Sequence, residues 1–153
     1  MEYIDKSHTP EEYVFIRDDK YIPFPTALSD GGISWQLLHV SPENGSWTAI
    51  FNCPAGSSFA SHIHTGPGEY FLTKGKMEVR GGEENGGSTA HAPSYGFESS
   101  GALHEKTYFP IESQFYMTFL GPLNFINEAG IVVASVGWVE AQHAWLAVTK
   151  IKA

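Results

Sequence analysis

The sequence predicts an all-β fold that ends with a C-terminal helix. Short runs of alternating apolar and polar residues recur along the middle of the chain, and glycine or proline residues separate them. Alternation with a period of two is typical of half-buried strands, and many short strands at regular spacing indicate a barrel or a sandwich. In the tail, Trp138, Ala141, Trp145 and Val148 recur at helical spacing, so we expect a helix over residues 138–149 that packs on the sheet.

The first 32 residues are predicted to form an N-terminal arm. Thr9, Pro10 and Glu12 have the pattern of a helix N-terminus, because Thr9 can cap the helix, Pro10 suits its first turn and Glu12 completes a capping box. We therefore expect a short helix that ends before Asp18.

The barrel is expected between residues 33 and 137, and no linker or internal repeat divides the chain. The whole chain, residues 1–153, is therefore predicted to form a single domain. The glycine-rich segment at residues 81–87 is predicted to be a flexible hairpin loop. The predicted strands are residues 33–38, 47–53, 59–64, 70–73, 77–80, 88–92, 106–109, 114–120 and 132–136.

Composition narrows the possible partners and the compartment. The formal net charge of −8 argues against nucleic acid and against an anionic membrane surface, since both attract basic proteins. The chain has one cysteine, Cys53, in an apolar run, so no internal disulfide can form and a buried core thiol is expected. The sequence shows neither the apolar core of a signal peptide nor a membrane-spanning run, so we expect a cytoplasmic protein.

Two histidines, His62 and His64, are separated by one residue within a predicted strand. Side chains alternate between the two faces of a strand, so both imidazoles are expected on the same face. Two imidazoles on one face are suited to bind one metal ion. This pair is the strongest functional signal that the residues alone provide.

The sequence around this pair resembles the first motif of the cupin superfamily. Gly56, His62, His64, Glu69 and Gly75 stand in the order of that motif. The resemblance implies a single-domain cupin, which is a jelly-roll barrel also described as a double-stranded β-helix.

The second cupin motif supplies a third histidine. Gly87, Pro93, Gly96 and His104 stand in its order, although the interval from Gly96 to His104 is longer than in most family members. Tyr108 replaces the asparagine that often follows the third histidine. The resemblance implies that His104 joins the histidine pair as a metal ligand.

One departure from the family pattern concerns a carboxylate ligand. Only five residues separate Glu69 from Gly75, where the family usually has six, so the usual carboxylate position falls on Gly68. Glu69 is then expected to face the other side of its strand. We predict a site of three histidines, His62, His64 and His104, with no carboxylate ligand. The alternative is that the turn before Glu69 absorbs one residue and Glu69 is a fourth ligand.

Three longer segments resemble the β-diketone-cleaving dioxygenases within the cupin superfamily: residues 46–75, 92–104 and 112–125. The resemblance implies a homotetramer with one iron(II) ion per chain, held by the three histidines. It also implies an enzyme that cleaves β-dicarbonyls with O2. Such an enzyme converts acetylacetone to methylglyoxal and acetate. Imidazole ligands also suit zinc, nickel and copper, and zinc or another divalent metal is an inactive occupant in this interpretation.

Four polar residues match positions that surround the metal in this family: Glu98, Arg80, Tyr70 and Thr107. We expect Glu98 to lie in the loop that leads to His104 and to accept a histidine N–H or to carry a proton. Arg80 is expected to point into the barrel beside it, because a buried arginine needs an acidic partner. The alternatives are a solvated loop acid and an ordinary surface arginine.

The resemblance also places three aromatic residues near the substrate: Phe59, Phe115 and Phe119. They are predicted to bind it, although aromatic residues on one face of a strand also suit a plain core. Two other functions stay open from the sequence. One is a cupin dioxygenase for another ketone, and the other is a zinc-binding cupin that is not an enzyme.

Overall fold

The structure is a computed structural model that describes residues 14–149. Over this range the chain forms many short strands and a C-terminal α-helix, α1, at Trp138–Thr149. Short 3-10 helices occur at Asp18–Lys20 and Glu83–Asn85. The predicted helix start at Thr9 lies outside the described residues. The strands are β1 (Ile22–Pro23), β2 (Ser29–Asp30), β3 (Ser34–Ser41), β4 (Ser46–Cys53), β5 (Ser57–Phe59), β6 (His62–His64), β7 (Gly68–Lys74), β8 (Lys76–Val79), β9 (Ser88–His91), β10 (Ser94–Glu98), β11 (Leu103–His104), β12 (Thr107–Phe109), β13 (Ser113–Phe119), β14 (Leu123–Ile126) and β15 (Val132–Val136).

The strands form three antiparallel sheets. The largest has the order β1-β3-β4-β13-β7-β10, the second has the order β2-β5-β12-β8-β9, and the third has the order β11-β6-β14-β15. Neighbours in these orders are often distant in sequence, as is usual for a jelly roll. The arm predicted for the first 32 residues contributes β1 and β2 to two of the sheets.

The core lies between the six-stranded sheet and the other two sheets. Aromatic rings meet across this space, since Phe51 of β4 contacts Phe59 of β5 edge to face at 5.5 Å between ring centroids. Phe115 of β13 stacks on Phe109 of β12 at 5.8 Å. These rings are almost fully buried, so each contributes roughly 2–3 kcal/mol of hydrophobic stabilisation.

Helix α1 has the bounds that the sequence predicts. Its Trp145 is buried and packs against Trp35 of β3 at 5.8 Å between ring centroids, while Ala141 is buried one turn earlier. Val148 is 39% exposed, so its expected contact with the sheet is wrong, and it lies in the last turn of the helix. Within residues 14–149 no helix has the length and apolar character needed to cross a membrane.

The predicted strands are largely present, with two differences. The expected strand at residues 59–64 is divided into β5 and β6 by a break at residues 60–61. Five further strands, β1, β2, β10, β11 and β14, were not among the predicted strands. In β10 the inward positions include Gly96 and the outward ones are the exposed Tyr95 and Phe97, so the usual apolar-inside pattern is inverted.

Candidate metal centre

Strand pairing brings the three predicted histidines together. His62 and His64 lie on one face of β6, while Ile63 between them points away. β11 pairs with β6 so that His104 stands directly opposite His62. The ring centroids are 4.9–5.2 Å apart, and one potential ligand atom from each ring lies within 4.8 Å of the other two.

The cluster is shielded from water. The three residues are between 3% and 5% exposed. The pKa of His62 is lowered to about 4, mainly by burial; the hydrogen bond to Ala60 raises this pKa, His104 lowers it by less, and the Glu98 charge raises it slightly. The pKa of His64 is lowered to about 3. Burial is the largest cause, and repulsion from His62 and from His104 contributes less. Both imidazoles are therefore neutral at pH 7, which is the form that binds metal.

The hydrogen bonds of the cluster fit a bound metal. The Nδ1 atom of His62 lies 2.8 Å from the carbonyl oxygen of Ala60, an acceptor, so Nδ1–H donates and Nε2 keeps its lone pair. The buried Nε2 of His64 has no hydrogen-bond partner in the part of the chain that the structure describes. A buried nitrogen without a partner is costly, and coordination of a metal ion would satisfy it.

Glu98 lies beside the cluster, at the end of β10. Its Oε2 is 2.9 Å from Nε2 of His104, and its side chain is 15% exposed. The expectation that Glu98 lies in a loop is wrong, because β10 pairs with β7 as far as the Glu98–Gly68 pair. This pairing turns the carboxylate inward, where it fixes the orientation of the His104 ring.

A small cavity, about 40 Å³ in volume, adjoins the three histidines. The three predicted substrate-binding residues, Phe59, Phe115 and Phe119, are buried and line it. Phe119 is stacked parallel to His64 at 6.3 Å between ring centroids. About half of the residues that line the cavity are Phe, Trp or Tyr, so its wall is largely apolar, as is usual for small-molecule sites.

Two of the predicted polar residues, Tyr70 and Thr107, also line the cavity. Burial, with a smaller effect of the Glu98 charge, raises the pKa of Tyr70 above its usual value. Thr107 is 5% exposed, and its Oγ1 finds no partner among residues 14–149. The Tyr70 phenol therefore remains neutral at pH 7, and Thr107 has an unpaired hydroxyl in the cavity wall.

Arg80 does not lie where the sequence reasoning placed it. It is exposed, and its guanidinium donates a 3.3 Å hydrogen bond to Ser88 at the mouth of the β8–β9 hairpin. Strand β8 ends at Val79, and Arg80 has a φ of 52°, which turns the chain out of the sheet. The expected position beside Glu98 inside the barrel is therefore wrong.

Glu69 faces away from the histidines. It is exposed, and its Oε1 accepts a 2.5 Å hydrogen bond from the Tyr95 hydroxyl on the outer side of the sheet. Gly68 is buried and takes the inward position next to it. This arrangement agrees with the expectation of three histidines without a carboxylate ligand.

Much of the cavity wall was not predicted from the sequence. Trp47 and Phe51 alternate on β4, which predicts a shared face, but nothing local shows that this face lines a cavity rather than solid core. Met117 shares the face of Phe115 and Phe119, and Met77 lies in an alternating strand, but neither pattern distinguishes a cavity wall from solid core. Further wall residues that were missed are Phe24, Leu123 and Phe125.

The jelly-roll sheets and the buried three-histidine cluster define a cupin with a candidate mononuclear metal centre. The chain belongs to the ChrR cupin-like domain family, whose model matches residues 9–124. The cupin fold expected from the sequence is confirmed.

Similar proteins include one with a named activity. The acetylacetone-cleaving enzyme of Acinetobacter johnsonii is 79% identical to this chain over 147 residues, which are 96% of each protein. The crystal structure of an acetylacetone dioxygenase from the same organism superposes with a TM-score of 0.89 at 78% identity, covering 97% of this chain and 100% of that one. An RmlC-like cupin from Ralstonia eutropha JMP134 shares the fold at 17% identity, with a TM-score of 0.74 over 92% of this chain and 88% of that one.

Proposed function

We propose that this chain is an iron(II)-dependent dioxygenase that cleaves a carbon–carbon bond of β-dicarbonyls such as acetylacetone. The observation that carries the proposal is the buried cluster of His62, His64 and His104 beside an apolar cavity. The named activity of a relative 79% identical over almost the whole chain supports the choice of substrate. The proposed products are methylglyoxal, acetate and one proton, whose atoms together equal those of acetylacetone and O2.

The metal is proposed to be held by the three histidines as neutral ligands. When bound, it supplies a Lewis acid for the dicarbonyl enolate and an electron partner for oxygen. Because the ligands contribute no negative charge, the site favours an anionic oxygen chelate such as an enolate. The low pKa values of His62 and His64 keep these ligands free of protons near neutral pH.

The remaining residues around the cluster are proposed to orient the ligands and the substrate. Glu98 holds the His104 ring, as carboxylates often do for metal-bound histidines. Thr107 offers an unpaired hydroxyl to a substrate oxygen, and Tyr70 offers a neutral phenol next to Glu98. Phe59, Phe115 and Phe119 exclude water and contact the alkyl ends of the substrate.

Two further properties stay predictions, the first from the family resemblance and the second from the sequence. We expect a homotetramer, which sedimentation equilibrium would test. We also expect a cytoplasmic location.

Oxygen uptake tests the proposed function. Metal-free protein would be loaded with one equivalent of iron(II) or of zinc and mixed with acetylacetone in air. We expect one O2 consumed per acetylacetone with iron, and none with zinc. No uptake at full iron occupancy would contradict the substrate assignment, and zinc bound as purified without any oxygen chemistry would support a non-enzymatic zinc cupin.

A further inference from the structure

One row of the six-stranded sheet forms the wall of the cavity nearest to the histidines. Glu98, Gly68, Phe119 and Trp47 stand opposite one another on β10, β7, β13 and β4. Directly opposed residues share a face, so all four positions face the cavity. Glu98 contacts His104 and Phe119 stacks on His64, while the position between them carries no side chain.

The space at Gly68 is filled by Met117. A Cβ atom built on Gly68 would lie 2.6 Å from Cε of Met117 and 3.1 Å from the carbonyl oxygen of Thr118. Met117 belongs to the adjacent row, since it stands opposite Tyr70. Its thioether therefore leans diagonally over Gly68, and it is 4% exposed.

Met117 is the adaptable part of this wall. Trp47 and Phe119 are stacked on each other at 4.0 Å between ring centroids with planes 15° apart, so each restricts the movement of the other. Methionine has three rotatable side-chain bonds and no branch, so it adjusts to the shape of its neighbours at low cost. Movement of Met117 off Gly68 would open space between Glu98 and Phe119.

We propose that Met117, seated over Gly68, sets the length of the alkyl end that the cavity accepts on a β-dicarbonyl. This inference rests on the proposed function. The oxygens of the dicarbonyl face the histidines, so its alkyl ends lie against apolar walls, and Met117 is the flexible side chain in the wall beside Glu98 and Phe119. Short ends fit with Met117 in place, whereas longer ends need it to move.

Anaerobic binding tests this inference without turnover. Iron(II)-loaded protein would be titrated without oxygen with acetylacetone and with 4,6-nonanedione, whose ends are two carbons longer, and absorbance would give both dissociation constants. In Met117→Ala we expect the affinity for the longer compound relative to acetylacetone to rise about tenfold or more, as one or two methylenes in a pocket allow. In Gly68→Ala, which pushes Met117 toward the cavity, we expect this ratio to fall.

Leu72→Ala is the matched control. Leu72 is fully buried on β7, and its replacement removes three heavy atoms, as Met117→Ala does, but Leu72 does not line the cavity. We expect an unchanged affinity ratio in this variant. Met117→Val replaces Met117→Ala if the alanine variant does not fold.

Thermal unfolding tests the contact itself. The melting temperature lost in Gly68→Ala is expected to be smaller when Met117 is already alanine, because the clash at 2.6 Å is then gone and only the 3.1 Å contact with the Thr118 carbonyl oxygen remains. Additive losses, or an affinity ratio that changes equally in Leu72→Ala, would overturn the inference. If the wild-type protein binds neither compound, the proposed function is wrong. The inference about Met117 is then wrong as well, because it rests on that function.

Discussion

Glu98 Oε2 lies 2.9 Å from Nε2 of His104, although the two residues belong to different sheets. Both side chains are largely buried, at 15% and 5% exposure. A carboxylate only accepts hydrogen bonds, so the His104 Nε2–H donates to it. The contact joins the end of the six-stranded sheet to the strand that supplies the third histidine.

Removal of this carboxylate is expected to weaken metal binding. In Glu98→Ala the His104 ring loses the group that orients it, so we expect metal affinity to fall about 10- to 100-fold. Competition with a chelating dye measures the affinity. Glu69→Ala is the control, since Glu69 is exposed on the outer face and bonds to Tyr95. An equal loss in both variants would mean that the Glu98–His104 contact has no particular role.

Replacement of one histidine of the cluster is expected to abolish stoichiometric metal. His104→Ala leaves two imidazoles, which is too few for a stable site of neutral ligands. Elemental analysis after gel filtration should find about one metal ion per wild-type chain and almost none in the variant. His143→Ala, at an exposed helix position, should keep its metal. Full occupancy in His104→Ala would remove His104 from the ligand set.

The metal-free protein is expected to lose stability in mild acid. The pKa values of about 4 for His62 and about 3 for His64 lie below the 6.5 of the unfolded chain, so the unfolded chain binds protons first as the pH falls. Stability is therefore full above pH 6.5 and decreases toward pH 4, by about 1–2 kcal/mol per histidine at about pH 5. Urea unfolding at several pH values measures it.

A variant separates this effect from general acid denaturation. His64→Asn removes one of the two titrating groups, so we expect a clearly smaller loss between pH 7 and about pH 5. His143→Asn, whose imidazole is exposed, should behave as the wild type does. Parallel pH profiles for all three proteins would show that the cluster does not control the acid sensitivity.

Gly75 is expected to tolerate no side chain. It has a φ of 84°, and a Cβ atom there would overlap Ser113 Oγ and the carbonyl oxygen of Glu112. Gly75→Ala should therefore cost about 3 kcal/mol or more, from backbone strain and from the clash together. Gly45 has a similar φ of 75° with nothing within 4 Å, so Gly45→Ala should cost only about 1–2 kcal/mol. Equal costs in urea unfolding would show that the clash is relieved.

The local parts of the site were predictable from the sequence. Alternation along a strand places His62 and His64 on one face, and the one-residue shift between Glu69 and Gly75 turns Glu69 outward. Both arguments use the period of two, which the structure preserves, and the second also uses the residue spacing of the cupin motif.

Parts of the site that depend on pairing between distant strands were not predictable from spacing. The contact between Met117 and Gly68 depends on the register of β13 against β7. The inward turn of Glu98 depends on β10. The aromatic residues of β10 point outward, so its sequence does not show the usual pattern of apolar residues on the inner face. The outward turn of Arg80 depends on its positive φ at the end of β8, which an alternating pattern does not reveal.

The most direct test of the central claim is an anomalous difference map, recorded at the iron edge, from crystals of the protein loaded anaerobically with iron(II). The account predicts one strong peak at bonding distance, roughly 2.0–2.2 Å, from one nitrogen each of His62, His64 and His104, with no carboxylate bound. A peak elsewhere, or three imidazoles that diverge around solvent, would contradict it.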